Sequence, residues 1–305
     1  MKFKDFTLDR FQEEAIEAIE NNHSVVVSAP TGSGKTLIAE YIIYKNRNNK
    51  KQIIYTAPIK ALSNQKYKDF SEEFGENKVG LMTGDIVINP TAKILIMTTE
   101  IYRNMALSND EQIQDIAYVI FDEIHFINDV ERGYVWEESI IYSKETVRFL
   151  CLSATIPNAE EFSKWIQAIK KHQVETVVAT ERNVPLEQSF YDVELGLTTL
   201  ENIRDDKSVP RYEHVRGKRK RRRVPKPNHI HLIQQIMDKL PCLYFHFSRH
   251  SCQEQAKELS RSGLFKRDDK IMPIIQKKLR DAPPEINKLE TTKLLKETLP
   301  RGIGF

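Results

Sequence analysis

Short apolar runs alternate with amphipathic stretches over the first part of this chain. Helical spacing of apolar residues is found between the runs, for example at 62–70 and 160–169. Strands interleaved with helices are typical of a parallel sheet covered by helices on both faces. We therefore predict an α/β fold whose ligands bind at the carboxyl ends of the strands. The predicted strands lie at 25–27, 53–56, 79–82, 94–98, 118–121, 147–152 and 177–179.

The alternation of short apolar runs and amphipathic stretches weakens after Pro185. Residues 205–228 are rich in proline and basic side chains and poor in apolar ones, which favours a linker or an extended insertion. A second lobe is predicted to follow, with too few strands for a complete sheet. Its predicted elements are a helix at 232–240, a strand at 243–247 and a helix after Ser251. The expected segments are 1–185, 186–228 and 229–305.

Composition adds few constraints. The chain has 305 residues, of which 29% are charged and 40% hydrophobic, and a net charge of +3. That charge is too small to establish a nucleic-acid partner. The three cysteines show no paired or metal-type spacing, so we expect reduced thiols and a cytoplasmic location. We also expect no secretion signal and no membrane span, because apolar runs of the required length are missing from the sequence.

Residues 29–36 carry the strongest chemical signal, Ala-Pro-Thr-Gly-Ser-Gly-Lys-Thr, between a predicted strand and a helix. Such a loop directs backbone amides and the positive end of a helix dipole at one point, which suits a polyphosphate. Lys35 would contact the outer phosphates and Thr36 would hold Mg²⁺. A plain Gly/Ser turn is the alternative, since the motif usually begins with Gly rather than Ala29. The predicted nucleotide-binding residues here are Thr31, Gly32, Ser33, Gly34, Lys35 and Thr36.

Two adjacent acids, Asp122 and Glu123, follow the predicted strand at 118–121. Ionised carboxylates at the end of a buried strand need a compensating charge, which a magnesium ion on the phosphates supplies. Asp122 is predicted to bind the metal, and Glu123 to orient and deprotonate the attacking water. The alternative is an acidic turn that ends the strand.

Three weaker signals leave alternatives open. Ser153-Ala-Thr155 follows another strand at the same sheet edge, where it would sense the loop that begins at Asp122, but such turns are common. Gln12 lies three residues after Asp9, the spacing of a capping box. The basic run from Arg216 to Arg223 fits a solvated linker, an RNA phosphate contact or a nuclear-import signal.

Taken in order, these motifs resemble those of superfamily 2 helicases. Arg132-Gly133 with Trp136-Glu137-Glu138 and Pro185-Leu186-Glu187 resemble the superkiller-type DExH RNA helicases that assist RNA decay. The resemblance implies a RecA-like sheet of the P-loop NTPase class, followed by a second RecA-like lobe. The motifs that carry it are Phe6…Gln12, residues 29–36, 57–62, 98–100, 122–125 and 153–155.

The resemblance also implies roles for individual residues. Phe6 would stack on adenine, and Gln12 would bind its edge unless it only caps its helix. His125, Ser153 and Thr155 would couple the hydrolytic site to the other lobe, although His125 is also readable as an ordinary loop residue. The residues implied to follow the backbone of single-stranded RNA are Pro58, Lys60, Gly84, Asp85, Thr98, Thr99 and Arg103. For Lys60 and Arg103, a solvated surface charge is the alternative.

The family pattern continues beyond Phe305 into arginines that stabilise transferred charge, so the chain resembles a fragment. Such a fragment is expected to bind nucleotide better than it hydrolyses it. The leading hypothesis is an ATP-dependent RNA helicase that uses ATP and Mg²⁺, with single-stranded RNA as its partner. The alternatives are a DNA helicase of the same superfamily and a non-catalytic binding module.

Overall fold

The structure is a computed structural model that describes residues 1–113, 115–182, 184–205, 227–280 and 282–305. The chain divides into two compact units, Met1–Leu186 and Glu187–Phe305, called unit 1 and unit 2 below. The basic run from Arg216 to Arg223 lies outside the described residues. The division into segments 1–185, 186–228 and 229–305 stays a prediction.

Unit 1 is an α/β layer structure. Its strands are β1 (Lys2–Phe3), β2 (Phe6–Thr7), β3 (Ser24–Ser28), β4 (Gln52–Ala57), β5 (Val79–Met82), β6 (Val87–Ile88), β7 (Ile94–Thr98), β8 (Ile116–Phe121), β9 (Arg148–Ser153) and β10 (Val174–Val178). Its helices are α1 (Arg10–Glu20), α2 (Thr36–Lys45), α3 (Lys60–Phe74), α4 (Thr99–Ser108), α5 (Tyr134–Tyr142) and α6 (Ala159–Lys170). Short 3-10 turns occupy Glu111–Ile113 and Ile124–Asn128.

The main sheet of unit 1 has eight strands in the order β10-β3-β9-β8-β4-β7-β5-β6. All neighbouring pairs are parallel except the last, in which β6 runs antiparallel to β5. The predicted parallel sheet is therefore confirmed. The four motif loops after β3, β4, β8 and β9 lie at the carboxyl edge of adjacent strands, because the sheet order brings these four strands together.

Helices cover both faces of this sheet. Alternate side chains of β3 show the division: Val25 and Val27 pack into the cluster that holds residues of α1, α2 and α3, and Val26 packs into the cluster of α4, α5 and α6. All five residues of β3 are buried. Apolar side chains directed to both faces explain why the strand runs are continuous rather than alternating.

Unit 2 is a mainly helical segment with one small hairpin. Its elements are β11 (Phe190–Asp192), β12 (Gly196–Thr198), α7 (Leu200–Asp205), α8 (His229–Gln235), α9 (Arg249–Arg261), α10 (Ile271–Arg280), α11 (Pro284–Lys288) and α12 (Glu290–Thr298), with 3-10 turns at Met237–Lys239 and Leu299–Arg301. Its core is a small cluster of buried residues: Ile233, Ala256, Leu259 and Ile303.

The strand predicted at 243–247 is wrong. Its residues form no strand, and Leu243, Phe245 and Phe247 are at least 84% exposed. A strand needs neighbours to satisfy its backbone groups and bury its side chains. Among the described residues of unit 2, only β11 and β12 pair, and they pair with each other. The predicted helix at 232–240 is also shorter, since α8 begins earlier, ends at Gln235 and gives way to the 3-10 turn at Met237–Lys239.

Across the described ranges, no helix is both long enough and apolar enough to cross a membrane.

Candidate functional site

The loop between β3 and α2 forms a tight cradle around a lysine ammonium. Gly32 and Gly34 have φ angles of +83° and +82°, in the left-handed region that glycine adopts without strain. The Lys35 Nζ atom donates to the carbonyl oxygens of Ala29 at 2.8 Å and Pro30 at 2.9 Å. Burial lowers the pKa of Lys35, while the nearby charges of Glu123 and Asp122 act in the opposite direction. The loop thus holds a cation at the amino end of α2, as phosphate binding requires.

A second observation on this loop fits a bound phosphate group. The Ser33 hydroxyl oxygen is buried and has no hydrogen-bond partner among the described residues. A buried polar atom without a partner is costly, and a phosphate oxygen at the cradle would satisfy it. Thr31 lies on the same loop and is exposed.

Gln12 braces the loop from α1. Its Nε2 atom donates to the carbonyl oxygens of Gly34 at 3.1 Å and Ser33 at 3.4 Å, and its Oε1 atom accepts from the backbone N–H of Asp9 at 2.9 Å. The capping role is thus present, together with a contact to the phosphate loop that the sequence did not indicate. A Cβ atom on Gly34 would lie only 2.8 Å from Gln12 Nε2, so a side chain at this position would displace Gln12 in addition to straining a φ of +82°.

The adenine contacts stay predictions. Phe6 is 59% exposed on β2, so its ring is accessible for stacking. Gln12 is only 5% exposed. An open groove lies beside the start of α1, and its lining residues include Arg10, Ser33 and Thr180.

Asp122 is held in one orientation at the end of β8. The Tyr55 hydroxyl of neighbouring β4 donates to Asp122 Oδ2 at 2.5 Å, and the backbone N–H of Glu123 donates to Oδ1 at 3.0 Å. Tyr55 is fully buried, and this burial, together with the Asp122 charge, raises its pKa well above the usual value. The phenol therefore stays protonated as a donor. The sequence analysis missed Tyr55, for which the only signal was a hydroxylated ring inside an aliphatic strand.

Glu123 turns sharply away from the strand. It has φ +53° and ψ 46°, the left-handed conformation. The His125 Nδ1 atom lies 3.2 Å from Glu123 Oε2, and both side chains are about one-third exposed, at 35% and 31%. The Glu123 carboxylate is therefore partly accessible to water beside the oriented Asp122, and its role as a general base stays a prediction.

Thr36 is the first residue of α2, and its hydroxyl oxygen accepts from Lys66 Nζ at 3.4 Å. The sequence analysis also missed Lys66, because nothing in the spacing of lysines along α3 distinguishes it. The Thr36 and Asp122 oxygens, on the loops that follow β3 and β8 at the same edge of the sheet, are hard ligands of the kind that Mg²⁺ prefers.

The loop after β9 is tied to β3. The Ser153 carbonyl accepts from the backbone N–H of Ala29 at 3.2 Å, and the Ser28 hydroxyl accepts from the backbone N–H of Ile156 at 2.9 Å. The Ser153 hydroxyl is buried without a hydrogen-bond partner among the described residues, and Thr155 is exposed. The structure thus links this loop to the phosphate loop, and the coupling roles of His125, Ser153 and Thr155 stay predictions.

The residues predicted to bind RNA lie after β4, β5 and β7, at the same edge of the sheet. Lys60 forms an ion pair with Asp85, next to Gly84, and both charged side chains are more than half exposed. Thr98 and Thr99 are buried, with 6% and 0% of their surface exposed, so neither residue is accessible to a ligand in this structure. Arg103 is engaged with Glu138, with its Nε atom 2.5 Å from Oε2. These contacts leave the surface-charge alternative open for Lys60 and Arg103.

Arg132 connects two of these loops, which the sequence analysis did not anticipate. One of its terminal nitrogens donates to the Pro58 carbonyl at 2.9 Å and also forms an ion pair with Glu100, in the first turn of α4. The guanidinium lies 5.7 Å from the ring of Trp136, which stacks on Phe126 in the loop after Glu123. The side chain thus joins the predicted RNA surface to the loop that carries the acids.

A parallel sheet with a lysine-bearing phosphate loop after β3, and an oriented aspartate followed by a glutamate after β8 at the same edge, defines a P-loop NTPase of the RecA-like type. A family model described as "DEAD/DEAH box helicase" matches residues 9–162, half of the chain. The chain belongs to this helicase family, as the motif resemblance predicted. Membership implies ATP binding.

Three relatives support the same assignment. The chain is 38% identical to "mRNA transport homolog 4" of Caenorhabditis elegans over 99% of its own length and 31% of the relative's. It is 39% identical to "Exosome RNA helicase MTR4" of Homo sapiens over 98% of its length and 30% of the relative's. It is 50% identical to "Antiviral helicase SKI2" of Saccharomyces cerevisiae over 61% of its length and 14% of the relative's. The chain thus spans about a third or less of these relatives.

Proposed function

We propose that this chain is the ATP-binding part of an ATP-dependent RNA helicase. Its ATP hydrolysis would drive translocation along single-stranded RNA, and thereby unwinding, during RNA processing or decay. The observation that carries the proposal is the carboxyl edge of the sheet, where the partly buried Lys35 ammonium is held by the Ala29 and Pro30 carbonyl oxygens and feels the charges of Glu123 and Asp122. RNA is favoured over DNA because the relatives at 38–39% identity include a named RNA helicase.

Each residue of the proposed site has a separate role. Lys35 neutralises the outer phosphates, and the loop glycines allow close approach of the backbone. The Thr36 hydroxyl and the Asp122 carboxylate would hold Mg²⁺, which neutralises charge on the phosphates when bound. The hydrogen bond from the Tyr55 hydroxyl to one Asp122 oxygen fixes the orientation of the carboxylate. Glu123 accepts a proton from the attacking water at its exposed carboxylate oxygen.

We expect Lys35→Ala and Glu123→Gln to separate binding from hydrolysis. Lys35→Ala removes the partly buried cation and is expected to weaken Mg²⁺-nucleotide binding by about tenfold or more, as loss of a charge-assisted phosphate contact does. Glu123→Gln leaves binding within about twofold, because only the proton acceptor is lost. Calorimetry with a non-hydrolysable ATP analogue measures the first effect, and ATP turnover with and without RNA measures the second.

Unchanged binding in Lys35→Ala, or unchanged turnover in Glu123→Gln, would remove the site assignment. Low turnover with tight nucleotide binding is expected of a chain that spans about a third of its helicase relatives, so this outcome alone does not favour a non-catalytic binding module.

Competition between RNA and DNA of one sequence tests the substrate class. A contact to the 2′-hydroxyl is expected to make RNA the stronger competitor. A clear preference for DNA would instead support a DNA helicase of the same superfamily.

We place the protein in the cytoplasm. The support is its cysteines: Cys151, Cys242 and Cys252 are all free thiols in the described structure, and Cys151 is buried.

A further inference from the structure

Lys66 brings a second cation to the phosphate loop from a different helix. It lies in the second turn of α3, with its ammonium 3.4 Å from the Thr36 hydroxyl oxygen and 6.0 Å from the Phe70 ring centroid. The Phe70 ring packs edge-on against Tyr55 at 5.3 Å, and Tyr55 holds Asp122. Lys66 thus belongs to the group of side chains that surrounds the predicted metal ligands.

This ammonium has no acidic partner among the described residues. Two other lysines of α3 do: Lys60 pairs with Asp85, and Lys68 lies 4.0 Å from Glu72. Lys66 is also more buried than either of them. A partly buried ammonium whose hydrogen-bond partner is a neutral hydroxyl is able to form an ion pair with an added anion such as a phosphate.

We propose that Lys66 is a second cationic contact for the phosphate chain of a nucleoside triphosphate, reaching the site from α3. This inference rests on the proposed function. An ammonium is a compact point charge that suits a phosphate oxygen. The Thr36 oxygen has two acceptor positions, so its contact with Lys66 does not prevent it from binding a metal. The two lysines would therefore flank the outer phosphates, Lys35 from the loop and Lys66 from the helix.

The competing explanation is that Lys66 only links α3 to α2 through Thr36. Lys66→Gln separates the two explanations, because glutamine keeps a hydrogen-bond donor but removes the charge. Lys66→Arg keeps the charge. Lys68→Gln is the matched control, since Lys68 lies on the same helix and its side chain is 76% exposed.

The probes are Mg²⁺-bound ATPγS and Mg²⁺-bound tripolyphosphate, titrated into the 305-residue chain by calorimetry. We expect Lys66→Gln to weaken both by about five- to tenfold, the usual effect of losing one charge-assisted contact. Lys66→Arg and Lys68→Gln should stay within about twofold of the unchanged chain, and the midpoint of urea unfolding without ligand should not move in Lys66→Gln.

A second measurement needs no substitution. Acetylation of lysines in the unchanged chain, followed by mass spectrometry, should show slower modification of Lys66 when ATPγS and Mg²⁺ are present. The rate at Lys68 should not change. This arm decides the question if Lys66→Gln does not fold.

The outcomes keep the two proposals separate. If Lys35→Ala binds ATPγS as tightly as the unchanged chain, the proposed function fails. If Lys35→Ala loses binding while Lys66→Gln matches Lys68→Gln, or if Lys66 is not protected from acetylation, the nucleotide role of Lys66 is overturned and the proposed function stands.

Discussion

At the scale of single residues, the orientation of Asp122 depends on a buried phenol. Tyr55 contributes its hydroxyl to the carboxylate and its ring to an edge-on contact with Phe70. Replacing the hydroxyl by hydrogen keeps the packing and removes only the donor. The effect should therefore appear in metal-dependent binding more than in folding.

We predict that Tyr55→Phe weakens Mg²⁺-dependent binding of an ATP analogue by about threefold to tenfold, or roughly 0.7–1.4 kcal/mol, which is the usual net contribution of one hydrogen bond. Binding in EDTA should change little. A magnesium titration at fixed nucleotide concentration measures the difference. Tyr118→Phe is the control, because the Tyr118 hydroxyl donates to the His23 carbonyl at 3.3 Å, away from the motif loops. Equal effects in the two variants would argue against a special role for Tyr55.

The residues that carry the motif chemistry were predictable, and those that position them were not. Lys35, Thr36, Asp122 and Glu123 stand in short local patterns that the sequence displays directly. The contacts of Tyr55, Lys66 and Arg132 join residues 30 or more positions apart, so they depend on strand order and helix placement. A sequence with no alignment contains no local signal for such pairs.

At the scale of elements, α4 and the loop that follows β4 are connected by one side chain. Arg132 donates to the Pro58 carbonyl and pairs with Glu100. The loop before α5 is also tightly packed, since a Cβ atom on Gly133 would lie 2.2 Å from the Ile127 carbonyl oxygen. Arg132 thus fixes the positions of the loop after β4 and the start of α4, which both belong to the predicted RNA surface.

We predict that Arg132→Gln weakens binding of a single-stranded RNA oligonucleotide by about fivefold and leaves ATP-analogue binding without RNA within about twofold. Loss of a shared, partly buried ion pair typically has this size. Fluorescence anisotropy of labelled RNA measures the first effect. Arg148→Gln serves as the control, because Arg148 lies at the start of β9, at the opposite end of that strand from the motif loop, and donates to the Asn22 carbonyl at 2.7 Å. If Arg148→Gln weakens RNA binding as much, the effect of Arg132 is one of general stability.

The element predictions were most accurate for strands whose neighbours in the sheet were predicted as well. Seven strands of unit 1 were predicted within a few residues because each apolar run packs into a sheet whose other members are present, whereas the two-residue strands β1, β2 and β6 were not predicted. The run at 243–247 has a similar composition but no strand beside it in the described structure, so it forms no strand and its apolar side chains stay exposed. Local propensity does not determine a strand without its partners.

At the scale of the whole molecule, the predicted nucleotide site lies entirely within unit 1. The two large core clusters consist of residues of unit 1, and the core of unit 2 is a separate, smaller cluster. Each unit therefore has its own apolar interior, as an independently folding segment requires.

We predict that residues 1–186 alone fold and bind Mg²⁺-ATPγS with an affinity within about threefold of the full chain. At a ligand concentration of about 100 times Kd, binding should stabilise either protein by about 2.7 kcal/mol. Thermal unfolding with and without ligand measures this stabilisation. An insoluble fragment, or one that loses nucleotide affinity, would show that unit 2 is needed for the site.

The stacked pair of Trp136 and Phe126 next to Arg132 also provides an intrinsic fluorescence probe. The chain has two tryptophans, and the Trp165→Phe variant leaves Trp136 as the single indole fluorophore. Its ring is fully shielded from solvent and lies 5.9 Å from Phe126, three residues beyond Glu123. Shifts in the emission of this indole would report rearrangement of the acidic loop in real time, without any attached dye.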